Sequence, residues 1–192
     1  MLMALMLGLL TVPGEENSSL AKENGYVINL DRAEKLEKMT YSSLFSKAGI
    51  IVLEDTDESL LGKVDKLEVC DNNLYVLEKG RGLFLFNKQG KFIKMIGRQG
   101  KAPGEYIDPD DISIDRENKK IYVLDSQTQN VLKYSGNGTF ESSFKLENKG
   151  TRSTFIQPFK NALYTNLYTF DKSGKRFLLS KVDVTNGKRI SF

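Results

Sequence analysis

The densest group of side chains that could bind a ligand directly is a run of carboxylates around one proline. Asp108, Asp110 and Asp111 flank Pro109, and carboxylate oxygens are ligands that Ca²⁺ prefers. The run lacks the spacing of a calcium-binding loop, and successive residues of a strand point to opposite faces of a sheet. At most two of these carboxylates could converge. We therefore expect no cofactor, with Ca²⁺ at Asp108, Asp110 and Asp111 as the candidate metal site.

The absence of histidine restricts the chemistry of this chain. Its 192 residues include no His, which removes the commonest general base and transition-metal ligand. Ser-His-Asp, Cys-His and His-ligated zinc chemistry are excluded for this sequence. The single cysteine, Cys70, can form no disulfide within the chain and has no His to activate it. We therefore favour a binding protein over an enzyme.

The charge of the chain is mildly basic and uneven. The net charge is +3, and residues 151–192 carry eight Lys and Arg against two Asp. The basic residues are scattered and lack the aromatic spacing of a base-stacking surface. A solvated strand surface is the simpler interpretation, so we expect no nucleic-acid partner.

An internal repeat indicates the fold. Tyr75 and Tyr122 lie 47 positions apart in similar surroundings, and Gly90 and Gly138 lie 48 apart. A weaker third copy places Gly187 a further 49 positions on. Repeats of roughly 40–50 residues that carry four short strands are typical of β-propeller blades. The sequence thus predicts an all-β protein of four-stranded antiparallel blades.

Three such blades fit into the chain, at about 64–97, 111–146 and 153–192. Within the second, Asp125 is expected to accept backbone N–H bonds in the turn that follows its strand. A closed propeller needs about four to eight blades. We therefore expect the missing blades to come from the rest of a longer chain or from oligomerisation.

The beginning of the sequence differs in character from the rest. Residues 1–14 (MLMALMLGLLTVPG) form an apolar run that is too short for a transmembrane span but suits the core of a signal peptide. A polar linker follows. We therefore divide the chain into a signal-like segment with its linker (1–24) and a partial propeller (25–192), and expect export to the periplasm or cell surface.

Residues 96–140 carry a family resemblance. They combine a glycine-rich turn, an aromatic residue, a proline, a strand ending in Asp and a Tyr-Val-x-Asp-Ser segment. The pattern resembles an NHL repeat at Gly97, Gly100, Gly104, Tyr106, Pro109, Asp115, Tyr122, Val123, Asp125, Ser126, Val131, Tyr134 and Gly138. Residues 60–62 and 98–106 are also similar to the six-bladed propeller proteins exported by Bacteroides-type bacteria. The resemblance implies a six-bladed propeller of which about half is present.

The function expected from these features is that of an exported binding module. Its loops would present basic and aromatic side chains to a protein, peptide or glycan ligand, with the candidate contacts Arg98, Tyr106, Lys160, Tyr164 and Tyr168. One alternative is a metal-dependent six-bladed hydrolase or lyase of the lactonase type, which the lack of histidine opposes. Another is a cytoplasmic NHL scaffolding domain, which the signal-like segment opposes.

Overall fold

The protein is described by a computed structural model that divides into two compact units, residues 1–50 and 51–192. It describes residues 31, 38, 40–46, 49–147, 152–160, 162–170, 174 and 176–191, with only the backbone at 41, 167–170, 176–178 and 191. The signal-like segment 1–24 lies outside these residues, and the boundary after residue 24 stays a prediction. The first unit contributes one short helix to the described part, α1 (Tyr41–Leu44).

The described part of the second unit contains twelve strands in three antiparallel sheets. In each sheet the four strands lie side by side in chain order. The first sheet is β1 (Lys66–Cys70), β2 (Asn73–Glu78), β3 (Gly82–Asn87) and β4 (Phe92–Ile96). The second is β5 (Pro109–Asp115), β6 (Lys120–Asp125), β7 (Asn130–Ser135) and β8 (Phe140–Lys145). The third is β9 (Ile156–Phe159), β10 (Ala162–Phe170), β11 (Arg176–Val182) and β12 (Arg189–Ser191).

The all-β class and the four-stranded antiparallel sheets predicted from the repeat are confirmed. None of the three sheets closes on itself, and the described residues form no complete ring. Among them, no helix has the length and apolar character needed to cross a membrane.

The second strand of the first sheet shows why the sheets stack. Tyr75 and Leu77 face one side of the sheet and Leu74 and Val76 face the other, and all four are at most 5% exposed. Tyr75 and Leu77 belong to a core shared with the second sheet, whereas Leu74 and Val76 belong to a separate core. A strand that is apolar on both faces must be covered on both faces.

Consecutive sheets pack face to face through these cores. Leu77 and Leu83 of the first sheet belong to the same core as Ile121 and Val123 of the second. The opposite face of the second sheet shares a further core with Ile156, Leu163 and Val182 of the third. As a result β5, the first strand of the second sheet, lies beside both β1 and β9. We call β1, β5 and β9 the inner strands.

The loop between β4 and β5 joins the first two sheets through one buried tyrosine. Tyr106 is fully buried, and its hydroxyl accepts a hydrogen bond from Leu83 N at 3.1 Å and donates one to Ile96 O at 3.0 Å. Gly97 has a φ of 68°, and a Cβ at this position would lie 2.6 Å from the Tyr106 ring. The close approach of ring and backbone therefore requires glycine there.

Candidate functional site

Polar side chains recur at one position of the inner strands. In each sheet, the inner-strand residue that pairs with the tyrosine of the second strand is polar: Glu68, Ser113 and Gln157. Because the inner strands are neighbours, these three side chains follow one another from sheet to sheet. With the charged residues beside them they form the inner-strand cluster: Lys66, Glu68, Asp111, Ser113, Arg116 and Gln157.

Asp111 links all three inner strands. It is 6% exposed, and its Oδ1 accepts a hydrogen bond from Lys66 Nζ on β1 at 2.8 Å. Its Oδ2 accepts one from Ile156 N on β9, also at 2.8 Å. A buried carboxylate needs such partners on both oxygens. Asp111 therefore holds the inner strands in place and aligns the residues around it.

Glu68 is the member of the cluster with the most unusual environment. Its carboxylate lies 3.9 Å from Lys66 Nζ and 3.8 Å from the Arg116 guanidinium. Burial raises the pKa of Glu68; Lys66 and Arg116 oppose this shift, and the charge of Asp111 adds to it. The two cations stand too far away for short hydrogen bonds. The carboxylate can therefore accept hydrogen bonds from a ligand.

The neutral members of the cluster suit binding more than catalysis. Ser113 is 1% exposed, and its hydroxyl donates to Gln157 Oε1 at 3.4 Å. A serine nucleophile needs a base at this place, and an amide cannot act as one. The cluster offers a carboxylate, an amide, an ammonium and a guanidinium group, which together can hold a polar molecule by hydrogen bonds.

The predicted metal site is not assembled around a common centre. Asp110 forms an ion pair with Lys79 at 2.5 Å, Asp111 is occupied as described above, and Asp108 is exposed. Within the described ranges, no group of three His, Cys, Asp or Glu side chains is placed to hold a metal ion. The Ca²⁺ site stays a prediction without structural support from these three residues.

Two of the predicted ligand contacts lie in or beside the loop between the first two sheets. Arg98 is exposed, and its Nε donates to Glu105 Oε1 at 2.5 Å. Tyr106 is fully buried between the sheets. A side chain in that position cannot meet a ligand at the surface, so the structure does not favour Tyr106 as a contact.

The other predicted contacts lie on the third sheet, and the structure brings two of them together. Lys160 Nζ stands 5.4 Å from the ring centroid of Phe159, and the Tyr164 ring centroid is 6.4 Å from the same ring. Tyr168 lies in β10, and its side chain is outside the described part of the chain. Ligand contact by these residues stays a prediction.

An open groove of about 440 Å³ lies between the first two sheets, at the turns that follow β1 and β5. Asp71 and Lys119 occupy these turns with φ values of 53° and 51°. Their charged groups approach to 3.9 Å across the groove. Cys70 also lines the groove, and burial raises the pKa of its thiol. The thiol is therefore a poor nucleophile here.

The sequence analysis did not select Glu68, Ser113 or Gln157. The signal that could have found them is the repeat itself, because aligning the three tyrosines also aligns the inner-strand residues that pair with them. The third copy is so divergent in sequence that only the pairing of β9 with β10 identifies Tyr164 and Gln157 as the corresponding residues.

The fold and the inner-strand cluster define the class of this protein. It is an all-β protein whose four-stranded antiparallel sheets stack on one another and carry polar side chains along their inner strands. The sequence model of one family, a domain of unknown function (DUF4934), matches residues 25–191, and this chain belongs to that family. The assignment corrects the predicted NHL resemblance, which is wrong. Gly97 and Tyr106, which suggested it, serve the crossing between the first two sheets, and the repeat period reflects the succession of four-stranded sheets.

Two solved structures are similar to this chain. One is a candidate exported protein from Bacteroides fragilis, with 25% identity and a TM-score of 0.59, covering 70% of this chain and 38% of its own. The other is a DUF4221 family member from Bacteroides vulgatus, with 10% identity and a TM-score of 0.50, covering 73% of this chain and 47% of its own. This chain therefore spans less than half the length of either protein. No functionally curated protein matches it.

Proposed function

We propose that this chain is part of an exported binding protein of β-propeller architecture, in which the inner-strand cluster contacts a polar ligand. The propeller is supported by three successive four-stranded sheets that pack face to face with their inner strands side by side. That succession is the arrangement of propeller blades around a central axis. The inner strands of such an arrangement line its central channel.

The observation that carries the binding role is the recurrence of Glu68, Ser113 and Gln157 at one register position. Among protein, peptide and glycan ligands, this set of groups favours a glycan. Hydroxyl-rich sugars offer donors and acceptors that match a carboxylate, an amide and nearby cations. The cluster supplies hydrogen-bonding groups rather than the apolar anchors that peptide side chains require.

Export is supported by the apolar run at residues 1–14 and by the similarity to a candidate exported protein. We test it by fusing the chain to a phosphatase that is active only in the periplasm. The full chain should give phosphatase activity in a bacterial host, and the chain without residues 1–24 should give none. Equal activity of the two fusions would contradict export through this segment.

The binding role is tested with a glycan array, followed by titration calorimetry with the strongest oligosaccharide. Glu68→Gln keeps the shape of the side chain but removes its charge, and should weaken binding by about 10- to 100-fold, as expected for a hydrogen bond to a charged group. Glu141→Gln is the matched control, because Glu141, like Glu68, lies near two basic side chains, here Lys120 and Lys133, but belongs to the outermost strand β8. Equal affinities for Glu68→Gln and the wild type would exclude the cluster as the site.

Among the described residues, no group of metal-ligating side chains favours the metal-dependent hydrolase or lyase. The scaffolding alternative depended on the NHL assignment and falls with it.

A further inference from the structure

The open groove between the first two sheets begins where the inner-strand cluster ends. Glu68 and Cys70 lie two positions apart on β1 and therefore face the same side of the sheet. Glu68 belongs to the cluster, and Cys70 lines the groove. Two residues along a strand span about 7 Å, so a molecule of a few sugar units reaches from the cluster into the groove. We call this groove the turn-end groove.

Arg116 stands at the junction between the cluster and the turn-end groove. Its guanidinium lies 3.8 Å from the Glu68 carboxylate. Burial raises the pKa of the Cys70 thiol and the charge of Arg116 opposes this shift, so the guanidinium is also near the groove. Asn118 and Lys119, which follow Arg116 in the same turn, line the groove. The cluster and the groove are therefore parts of one surface rather than separate sites.

The turn-end groove has the size and the fixed walls of a site for a small polar molecule. Its volume of about 440 Å³ lies within the range of about 300–1,000 Å³ that is typical of small-ligand sites. Cys70 and Ile114, which line it, belong to the core between the first two sheets. The Tyr75 hydroxyl donates to Gly136 O at 3.0 Å and so ties the first sheet to the turn after β7. This bond between the walls means that the groove is formed before a ligand arrives.

Side-chain amides are prominent among the hydrogen-bonding groups of the groove, which is lined by Asn73, Asn118 and Asn137. The Asn73 amide donates to the Tyr75 hydroxyl at 3.4 Å, which is a long contact. Asn118 donates through Nδ2 to Asp115 at 2.8 Å, and Asn137 accepts through Oδ1. An amide has two donors and an acceptor, so each of the three retains capacity for a ligand. Sugar hydroxyls, which both donate and accept, match these groups.

The charges around the groove and the cluster are balanced. Each of these ionic side chains lies near one of opposite charge: Asp71 near Lys119, Lys120 near Glu141, Lys66 near Asp111 and Arg116 near Glu68. A surface with matched charges offers no surplus field that attracts a charged ligand. Amides and balanced charges together favour an uncharged ligand that is rich in hydroxyl groups.

We propose that the turn-end groove is a second subsite, which binds the further units of an uncharged oligosaccharide whose first unit contacts the inner-strand cluster. The inference rests on the binding role proposed above. A single sugar contacts only the cluster, whereas a longer chain gains hydrogen bonds with Asn73, Asn118 and Asn137. The protein therefore distinguishes oligosaccharides by their length.

The first test measures affinity along a series of chain lengths. The glycan array carries neutral, carboxylated and sulfated oligosaccharides, and its strongest binder is compared by titration calorimetry with its shorter homologues and its monosaccharide. The affinity should rise at least about tenfold from the monosaccharide to the longest chain, as expected for a few additional hydrogen bonds. A charged strongest binder, or equal affinity at every length, would overturn the inference and leave the role of the cluster intact. The absence of any binder would refute both.

The second test removes one amide from the groove. Asn73→Ala should weaken binding of the longest chain by about 3- to 10-fold, as expected for one hydrogen bond between uncharged groups, and leave binding of the monosaccharide unchanged. Glu68→Gln, in contrast, should weaken both. Asn72→Ala is the matched control, because Asn72 is exposed in the same turn but does not line the groove. Equal effects of Asn73→Ala and Asn72→Ala on the longest chain would rule out the groove as a subsite.

The third test fills the groove from Gly136. This glycine does not have a positive φ, and a Cβ on it would point towards Lys119, 3.3 Å from the carbonyl oxygen. Gly136→Leu should reduce the affinity for the longest chain to that for the monosaccharide, whereas Gly136→Ala should retain most of the gain. Circular dichroism shows whether both variants fold, and Asn73→Ala decides the matter if the leucine variant does not. Undiminished binding by folded Gly136→Leu would contradict the inference.

Discussion

Removal of the Tyr106 hydroxyl is expected to weaken the junction between the first and second sheets. The hydroxyl makes two buried hydrogen bonds, with Leu83 N and Ile96 O, at a fully buried position. Tyr106→Phe leaves the ring in place but deprives both backbone groups of this partner. A buried polar group left unsatisfied costs about 1–3 kcal/mol. Two backbone groups lose their partner, and the small space left by the hydroxyl adds little to the cost. We therefore expect a total loss of about 2–4 kcal/mol in the free energy of unfolding.

The loss is measured by urea denaturation followed by circular dichroism. The midpoint should fall while the dependence on denaturant stays constant, since the surface exposed on unfolding is unchanged. Tyr122→Phe is the matched control: Tyr122 occupies a buried position in β6, but its hydroxyl makes no hydrogen bond with another of the described residues. We expect the control to lose less than about 1 kcal/mol. If both variants lose the same amount, the hydroxyl of Tyr106 does not contribute as argued.

Three further predictions concern single residues. Gly90→Ala and Gly80→Ala impose similar backbone strain, because the two glycines have φ values of 84° and 81°, but of these two only a Cβ on Gly90 would contact other atoms. We therefore expect Gly90→Ala to lower the midpoint of thermal unfolding more than Gly80→Ala. Equal shifts would contradict the contact of Gly90 with residues 51–52. The pKa of Glu68 is raised in the folded protein, so the folded state favours the protonated carboxyl group. The resulting contribution to the free energy of unfolding is complete below the ordinary pKa of 4.5 and is lost as the pH rises through the pKa of the folded state. Glu68→Gln should therefore gain stability relative to the wild type between pH 4 and pH 7 in urea titrations, and a pH-independent difference would refute the shift. Cys70 is 7% exposed, and burial raises its pKa; a thiol reagent should react at least tenfold faster in 6 M urea than in buffer, and equal rates would show that the thiol is accessible.

The local signals of the sequence were reliable where they depended on neighbouring residues. The turn after β6 is an example: the Asp125 carboxylate accepts hydrogen bonds from Gln127 N and Thr128 N, each at 3.1 Å, as predicted. The hairpin glycines Gly90, Gly138 and Gly187 all have positive φ. Such features depend on a few adjacent residues, so their chemistry can be read along the chain.

The family assignment failed for a physical reason. Gly97, Gly104 and Tyr106 form a recognisable pattern, but in this structure they serve the crossing from β4, the outermost strand of the first sheet, to β5, the inner strand of the second. Gly104 has a φ of 80°, and its carbonyl accepts a hydrogen bond from the Tyr134 hydroxyl at 3.0 Å. Residues that satisfy a crossing indicate the crossing and not the family that uses it.

The sequence by itself determined the all-β class, the strand period and the four-stranded repeat, because alternation of side chains and turn residues act over short stretches of chain. The tertiary structure alone decided which polar residues meet. Asp111 joins Lys66 and Ile156 across 45 positions in either direction, and the Glu54 carboxylate accepts a hydrogen bond from Phe92 N, 38 positions later. Such contacts depend on how the sheets stack, and stacking is set by side chains that are distant in the sequence but share one core.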